Sequence, residues 1–295
     1  MRWTPGGSSG DVEDRRGQGG GFGGGGMKMG LGGAAILLVL SLLTGKNFFS
    51  VVGAGTDAAP GSGPTTDADG NLVPAATTPE EEKLKDFVTF VLNDAQGAWS
   101  TIFQQEGRTY ERARLVLFRD ATQTACGTGQ TGMGPFYCPG DNRIYIDLGF
   151  YDELRRRFGA PGDFAQAYVI THELGHHVQR LLGTEARVRQ AMERNPDQAN
   201  ALSVRLELQA DCYSGVWGHA AAQEKTTDGQ PVLEQGDVEE GLTAAAAVGD
   251  DRIGQMTGQG VHPEAFTHGS SEQRASWFKR GFQSGNPKDC DTFQQ

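Results

Sequence analysis

Two histidines and one glutamate lie within a five-residue segment, His172-Glu173-Leu174-Gly175-His176. If this segment is helical, the two imidazoles are one turn apart on the same side and can bind the same Zn²⁺ ion. Glu173 is rotated by about 100° from His172, so its carboxylate can reach a water beside the metal instead of the metal itself. The spacing therefore predicts a catalytic zinc site in which Glu173 is the general base.

The flanking residues predict that this segment belongs to one helix. Asp163, which follows a Pro-Gly pair, is a candidate N-cap, and Gly183 is a candidate end. His177 points about 100° away from His176, so we expect it to pack or to support the site without binding the metal. Apolar residues recur at helical spacing and form a stripe that would face the core: Ile170, Leu174, Val178 and Leu181.

A catalytic zinc ion needs a third protein ligand, and a helical segment further along the chain offers one. Glu207 and Asp211 are one turn apart among apolar residues, where an unpaired carboxylate would be costly to bury. We expect Glu207 to be the third ligand and Asp211 to accept a hydrogen bond from one zinc histidine, which fixes the tautomer of that ring. The alternative is a solvated acidic pair. The residues after His176 lack the histidine of the metzincin pattern, which excludes that class.

His268 is a further candidate for the catalytic machinery. It precedes Ser270-Ser271-Glu272-Gln273, which has the Ser-x-x-Gln form of a capping box and predicts a helix start. From this loop the ring of His268, or Arg274 in the first turn of the helix, could reach the cleft and stabilise the negative charge of a tetrahedral intermediate. The alternative is a packing cluster with the aromatic side chains of that helix, Trp277 and Phe278.

The chain resembles the bacterial family of neutral zinc metallopeptidases, which are membrane-anchored relatives of the Glu-zincins. Besides the zinc motif, four segments carry the resemblance: VEDRRG at 12–17, GPFYCP at 134–139, ELQADC at 207–212 and FTHGSSEQR at 266–274. The resemblance implies an α+β fold, with a mostly helical zincin-like metallopeptidase domain and a small β-sheet. It also implies one catalytic Zn²⁺ ion and hydrolysis of peptide bonds by a metal-activated water.

The first third of the chain differs in composition from the rest and predicts separate regions. We expect residues 1–28 to be a disordered, glycine-rich cytoplasmic segment and the apolar residues 29–52 to be a transmembrane anchor. A cleavable signal peptide is the alternative for the apolar stretch. Residues 53–78 predict a flexible linker because they are rich in small and polar residues. The metallopeptidase domain would then span 79–295, with a helix starting at Thr78 or Pro79.

Charge and cysteine content predict the compartment. Basic residues precede the predicted anchor, so the expected localisation is the cell membrane, single-pass, with the N-terminus cytoplasmic and the catalytic domain extracytoplasmic. The even number of cysteines, four, agrees with an oxidising compartment. The sequence does not fix their pairing: a local Cys126–Cys138 bond would leave Cys212 with Cys290. A structural zinc site is the less favoured alternative because the chain has no Cys-x-x-Cys spacing.

Two short runs of β-forming residues precede the histidine motif, at 114–118 and 143–148, and predict a small sheet. An edge strand beside the metal helix of a zincin-like fold can hold an extended peptide through main-chain hydrogen bonds. Residues 143–148 are our candidate for that role. The alternative for this segment is an ordinary core strand.

The combined prediction is a membrane-anchored zinc metallopeptidase acting on a protein or peptide substrate. Two alternatives stay open: a non-catalytic zinc-containing binding or assembly module of the cell envelope, and a hydrolase of a non-peptide amide such as a cell-wall cross-link. Three evident ligands beside Glu173 favour an open, catalytic zinc site. The net charge of −11 argues against a nucleic-acid partner, and the oligomeric state is not predicted. Asp250-Asp251-Arg252 is interpreted as an ion-pair cluster at a helix end and not as a second metal site.

Overall fold

Helices make up most of the computed structural model, which describes residues 1–4, 9–17, 77–226, 228–258 and 260–294. The α-helices in these ranges are α1 (Pro79–Gln105), α2 (Gly149–Arg156), α3 (Asp163–Leu182), α4 (Thr184–Arg194), α5 (Ala199–Gln223), α6 (Asp237–Ala247), α7 (Asp250–Thr257) and α8 (Ser271–Ser284). The predicted stripe of α3 faces the core, where Ile170, Leu174 and Val178 are fully buried. The structure is therefore mostly helical with small sheets.

The main sheet has four strands in the described residues, in the order β1-β2-β6-β5. Strand β1 (Val12–Asp14) is parallel to β2 (Arg114–Phe118), β2 is parallel to β6 (Arg143–Asp147), and β5 (Phe136–Cys138) is antiparallel to β6. A separate hairpin consists of β3 (Ala121–Thr124) and β4 (Gly127–Gln130). Helix α3 contacts β5 and β6 on one side and helices α1, α4, α5 and α6 elsewhere, so the histidine motif lies between sheet and helices.

The role that we predicted for residues 143–148 is wrong. Strand β6 lies between β2 and β5, and Ile144, Tyr145 and Ile146 are fully buried, so its backbone is already paired on both sides. The alternative, an ordinary core strand, is correct for this segment. The strand at the edge beside α3 is β5, which comes from the glycine-rich excursion between the two predicted strands.

Two of the predicted helix starts have capping boxes, of which the one at Ser270 was predicted from the sequence. Thr78 accepts a hydrogen bond from the backbone N–H of Glu81, whose side chain accepts one from the N–H of Thr78. Ser270 and Gln273 make the same reciprocal pair at the start of α8. Because these bonds satisfy N–H groups that a helix leaves unpaired, they fix where α1 and α8 begin.

The start of α3 differs by one residue from the prediction. Gly162 is the N-cap, and the carboxylate that caps the helix comes from α6, where Glu240 Oε2 accepts from the N–H of Phe164 at 3.2 Å. A Cβ atom on Gly162 would lie 1.8 Å from that oxygen, so any larger residue there would displace the capping carboxylate of Glu240. Asp163 instead accepts from the amine of Met1 at 2.6 Å.

The prediction of disorder over residues 1–28 is wrong for the part that the structure describes. Strand β1 pairs in register with β2, from Val12 opposite Leu115 to Asp14 opposite Leu117. Arg16, at 3% exposure, donates to Asp14 Oδ2 and to Glu82 Oε1 at 2.7 Å each. These contacts make residues 12–16 part of the same folded unit as α1.

The predicted fold class also needs correction at the membrane anchor. Among the residues that the structure describes, no helix is both long enough and apolar enough to cross a bilayer. The predicted anchor at 29–52 and nearly all of the predicted linker at 53–78 lie outside the described residues.

The described chain contains one local disulfide and one between distant segments, and both pairings are the ones that we favoured. Cys126–Cys138 fastens the β3–β4 hairpin to the edge strand β5. Cys212–Cys290 fastens the C-terminal segment to α5. Helix α8 packs closely on α5, since a Cβ atom added to Gly281 would lie 1.9 Å from the carbonyl oxygen of Cys212.

Candidate metal centre

The three predicted ligands converge between α3 and α5. His172 Nε2 lies 3.2 Å from Glu207 Oε2, and His176 Nε2 lies 3.5 Å from Glu207 Oε1. The three ligand atoms all lie within 4.8 Å of one another. Two donors bound tetrahedrally to zinc at about 2.0–2.1 Å are about 3.3 Å apart, so these spacings and this donor set fit the ion.

Close approach of the two helices brings these ligands together, and Gly175 permits it. A Cβ atom at this position would lie 2.9 Å from the carbonyl oxygen of Ala210 and 3.0 Å from its Cα. Gly175 had no predicted role. Its position inside the histidine motif, facing a second ligand helix, was the available signal.

Asp211 lies where the sequence predicts it, behind the first histidine. His172 Nδ1 donates to Asp211 Oδ1 at 2.8 Å, which leaves Nε2 facing Glu207. Tyr168 donates its hydroxyl proton to the same oxygen at 2.5 Å. The guanidinium of Arg274 donates to both oxygens, at 2.9 and 3.0 Å. A carboxylate held by three partners keeps the ring of His172 in one orientation.

Arg274 therefore does not reach the cleft, contrary to one of our predictions. Its side chain is 4% exposed and lies behind His172, with Nη2 3.2 Å from the hydroxyl of Tyr168. The same atom is 3.8 Å from Glu207 Oε2. Arg274 thus balances buried negative charge within the protein instead of projecting into the cleft.

The second histidine has a partner that sequence reasoning missed. His176 Nδ1 donates to Gln179 Oε1 at 2.9 Å, which turns Nε2 towards Glu207. Gln179 is fully buried on α3. The spacing of three residues on one helix was a signal for this contact, because such residues are neighbours on a helix surface.

Both ring nitrogens of His177 have hydrogen-bond partners within the protein, and neither belongs to the ligand cluster. Its Nε2 donates to the carbonyl oxygen of Glu111 at 2.7 Å, so Nδ1 accepts from the hydroxyl of Tyr137 at 3.0 Å. Tyr137 belongs to the edge strand β5. This bond joins the edge strand to the helix of the zinc motif.

Burial and neighbouring charges set the protonation of the site. Burial lowers the pKa of His172, but Asp211 and Glu207 outweigh it and raise that pKa to about 10. Burial raises the pKa of Glu207, but His176 and His172 lower it well below its usual range. Glu207 is thus a carboxylate that faces a protonated His172, and a metal ion would replace that proton on binding.

Glu173 lies beside the ligands and is 8% exposed. Burial raises the pKa of its carboxyl group above the usual range, whereas the imidazoles of His172 and His176 oppose the shift. A hydrogen bond from the backbone N–H of Tyr137 also lowers this pKa. A carboxylate with a raised pKa next to two metal ligands suits the uptake and release of a proton.

His268 approaches the site from a loop that two aspartates hold. Asp250 Oδ2 accepts from the backbone N–H groups of residues 267, 268 and 269 at 2.7, 2.7 and 3.1 Å. Asp250 Oδ1 accepts from His268 Nδ1 at 3.1 Å, and Asp251 accepts from the N–H of Ser271 at 2.7 Å. Our interpretation of these aspartates is correct in that they begin α7 and Asp250 forms an ion pair with His268, whereas their other partners are N–H groups and a hydroxyl of the loop.

The carboxylate of Glu207 influences the pKa of His268. Burial lowers the pKa of this ring, but Asp250 and Glu207 raise it above its usual value. The structure therefore brings His268 into the electrostatic field of the site, while its side chain stays 35% exposed. The predicted alternative, a packing cluster with aromatic rings, does not describe its hydrogen bonds.

The paired histidines on α3 and the glutamate on α5 form a three-donor cluster of the kind that holds a zinc ion in metallopeptidases. The chain belongs to the family described as "Putative neutral zinc metallopeptidase", whose model matches residues 1–293. It is 47% identical over 298 residues to "Uncharacterized protein YpfJ" of Escherichia coli K12, covering 99% of both chains. It is also 47% identical over 189 residues to "Uncharacterized protein Rv2575" of Mycobacterium tuberculosis, covering 62% of this chain and 63% of the relative. No solved structure is significantly similar.

Proposed function

We propose that the protein is a zinc-dependent peptidase that hydrolyses peptide bonds, with Glu173 as the general base. The observation that carries this proposal is the convergence of His172, His176 and Glu207 at zinc-compatible spacing, with a buried glutamate next to them. Within the described ranges this cluster contains three donors, which leaves a fourth position for water or substrate. A purely structural zinc site would use a fourth protein ligand there.

The residues divide the chemistry among them. Zinc, when bound by His172, His176 and Glu207, supplies a Lewis acid that polarises the scissile carbonyl group and acidifies water. Glu173 takes the proton of the attacking water and then delivers it to the leaving amine. The raised pKa of Glu173 supports both steps, because burial makes its carboxyl group hold a proton more readily between taking it up and delivering it.

His268 would stabilise the developing negative charge. Asp250 holds Nδ1 of the ring, so Nε2 is the atom free to donate towards the cleft. A donor fixed in advance by its own hydrogen bonds stabilises a tetrahedral intermediate without further reorganisation. This role supports catalysis and leaves the binding of zinc unchanged.

The substrate would lie along β5 as an extended chain. This strand is at the edge of the sheet in the described residues, and Tyr137 within it contacts both His177 and Glu173. An added strand would form main-chain hydrogen bonds and place its scissile bond near the base. The Cys126–Cys138 disulfide holds this edge to the β3–β4 hairpin. The two disulfides also support a catalytic unit that works outside the cytoplasm.

The variant Glu173→Gln tests the proposed base. We expect it to bind one zinc ion per chain with unchanged affinity and to lose turnover of a peptide library by about 10²–10⁴-fold. Glu239→Gln, at an exposed position on α6, is the matched control and should cleave at the wild-type rate. Wild-type turnover by Glu173→Gln would contradict the assignment. Chelated protein that does not recover activity with zinc would contradict the proposed dependence on the metal.

A further inference from the structure

A chain of two amide groups connects the second histidine to the C-terminal segment. Gln179 accepts from His176 Nδ1 at 2.9 Å, and its Nε2 donates to Gln209 Oε1 at 3.2 Å. Gln209 Nε2 donates in turn to the carbonyl oxygen of Cys290 at 2.9 Å. Gln179 is fully buried and Gln209 is 5% exposed, so water does not compete for these bonds.

Two backbone carbonyl groups fix the direction of this chain. Gln179 Nε2 also donates to the carbonyl oxygen of Leu206 at 2.7 Å, and a carbonyl oxygen can only accept. The amide of Gln179 must therefore point its oxygen at His176. The carbonyl oxygen of Cys290 orients Gln209 in the same way. The proton of the neutral His176 ring is then required on Nδ1, and Nε2 is left as the lone-pair donor that faces Glu207.

We propose that Gln179 and Gln209 form an amide relay that holds His176 ready for the metal and makes the C-terminal segment a support of the site. The inference rests on the metal centre of the proposed function. Both glutamines are positioning residues, because they act on the ligand and touch neither substrate nor metal. The relay is neutral, unlike the Asp211 carboxylate behind His172, so the second ligand is oriented without adding negative charge to the site.

The far end of the relay is fastened independently of the glutamines. Cys290 is bonded to Cys212 on α5, one residue after Asp211. The hydroxyl of Thr292 donates to the carbonyl oxygen of Arg205 at 2.7 Å. The disulfide and this hydrogen bond therefore fix the carbonyl group of Cys290 relative to α5, the helix that also carries Glu207. The orientations of His172 and His176 therefore both depend on α5.

Three variants of matched chemistry test the relay. Methionine fills the space of glutamine without its hydrogen-bonding groups, so Gln179→Met breaks the relay at the histidine and Gln209→Met breaks it one step away. Gln190→Met, at an exposed position on α4, is the control. We expect zinc affinity, measured by competition with a chromophoric chelator, to fall about 10–100-fold in Gln179→Met. Gln209→Met should lose about tenfold, and Gln190→Met should match the wild type.

The tautomer of His176 is the readout that a merely structural role would not move. In the wild-type chain, ¹⁵N chemical shifts should show the proton on Nδ1 without zinc, and Nε2 coordination with zinc. Folded Gln209→Met should show a mixture of tautomers. Wild-type protein with the proton on Nε2 would overturn the relay, even if both variants fail to fold. A folded Gln209→Met with wild-type affinity and tautomer would overturn it as well. Neither readout depends on peptide cleavage, so failure of the relay and failure of the proposed activity are separable.

Discussion

At the scale of single residues, the proposed mechanism assigns metal binding and charge stabilisation to residues from different elements. The ligands lie on α3 and α5, whereas His268 comes from a loop that Asp250 holds through three backbone N–H groups. Removing the imidazole therefore leaves the ligands and their hydrogen-bond partners in place. This separation distinguishes a residue that acts on the intermediate from one that acts through zinc.

We predict that His268→Ala keeps its zinc and loses turnover. Loss of one donor to a tetrahedral intermediate typically costs about 10²–10³-fold in kcat, and the substitution touches no ligand. Metal content and steady-state cleavage of a peptide substrate are the measurements. His262→Ala serves as control because its side chain is 64% exposed and its Nδ1 lies 3.5 Å from Glu264, which is outside the ligand cluster. A kcat within twofold of wild type would remove His268 from the mechanism.

The residues that could be predicted are those whose signal is local. His172, Glu173 and His176 follow from helical spacing, and Glu207 from an acidic side chain in an apolar helix. The side chain of Arg274 could not be placed, because its position on α8 allows it to face either the cleft or the rear of His172. Its burial against Asp211 depends on how α8 packs on α5.

At the scale of elements, the contact between α3 and α5 builds the centre, and Gly175 controls their separation. The nearest neighbours of an added methyl group would be backbone atoms of Ala210, which cannot rotate away. Any relief must come from moving one helix relative to the other. Such a movement changes the distance between the histidines and Glu207.

We predict that Gly175→Ala weakens both the fold and the metal site. Overpacking of this kind costs about 1–3 kcal/mol in the free energy of unfolding, and displaced ligands should lower zinc affinity. Urea unfolding and chelator competition measure the two effects. Gly97→Ala in α1 is the control, because nothing lies within 4 Å of its added Cβ atom. That variant should be unchanged or about 0.5–1 kcal/mol more stable. Equal behaviour of the two variants would show that helix separation does not set the site.

The order of strands in the sheet shows why the neighbours of a strand were harder to predict than the strand itself. The apolar runs of β2 and β6 are visible in the sequence, and both are strands. Which strand lies at the edge depends on pairing between distant segments. β5 is short and comes from a glycine-rich stretch, and β1 pairs with a strand that follows it by about a hundred residues. Neither pairing has a local signal, so residues 143–148 were placed at the edge and residues 12–14 outside the fold.

At the scale of the whole molecule, a pair of carboxyl groups links the first long helix to the end of α5. Trp217 Nε1 donates to Asp94 Oδ1 at 2.5 Å, and the neighbouring Glu224 follows the last residue of α5. Burial, a hydrogen bond to Asp94 and the negative charge of Asp94 raise the pKa of Glu224 to about 7. In the unfolded chain this carboxyl group titrates near its ordinary value of about 4.3.

This shift predicts that the contact loses stability as the pH rises. Below about pH 4.5 the group is protonated in both states, and above about pH 7 it is ionised in both, so the folded state is penalised progressively between these values. Glu224→Gln keeps a donor for Asp94 and removes the ionisation. We therefore expect the urea midpoint of the variant to exceed that of the wild type by more at pH 8 than at pH 5. Glu239→Gln, an exposed control, should give the same difference at both pH values. A pH-independent difference for Glu224→Gln would mean that this pair does not couple α1 to α5 through its charge.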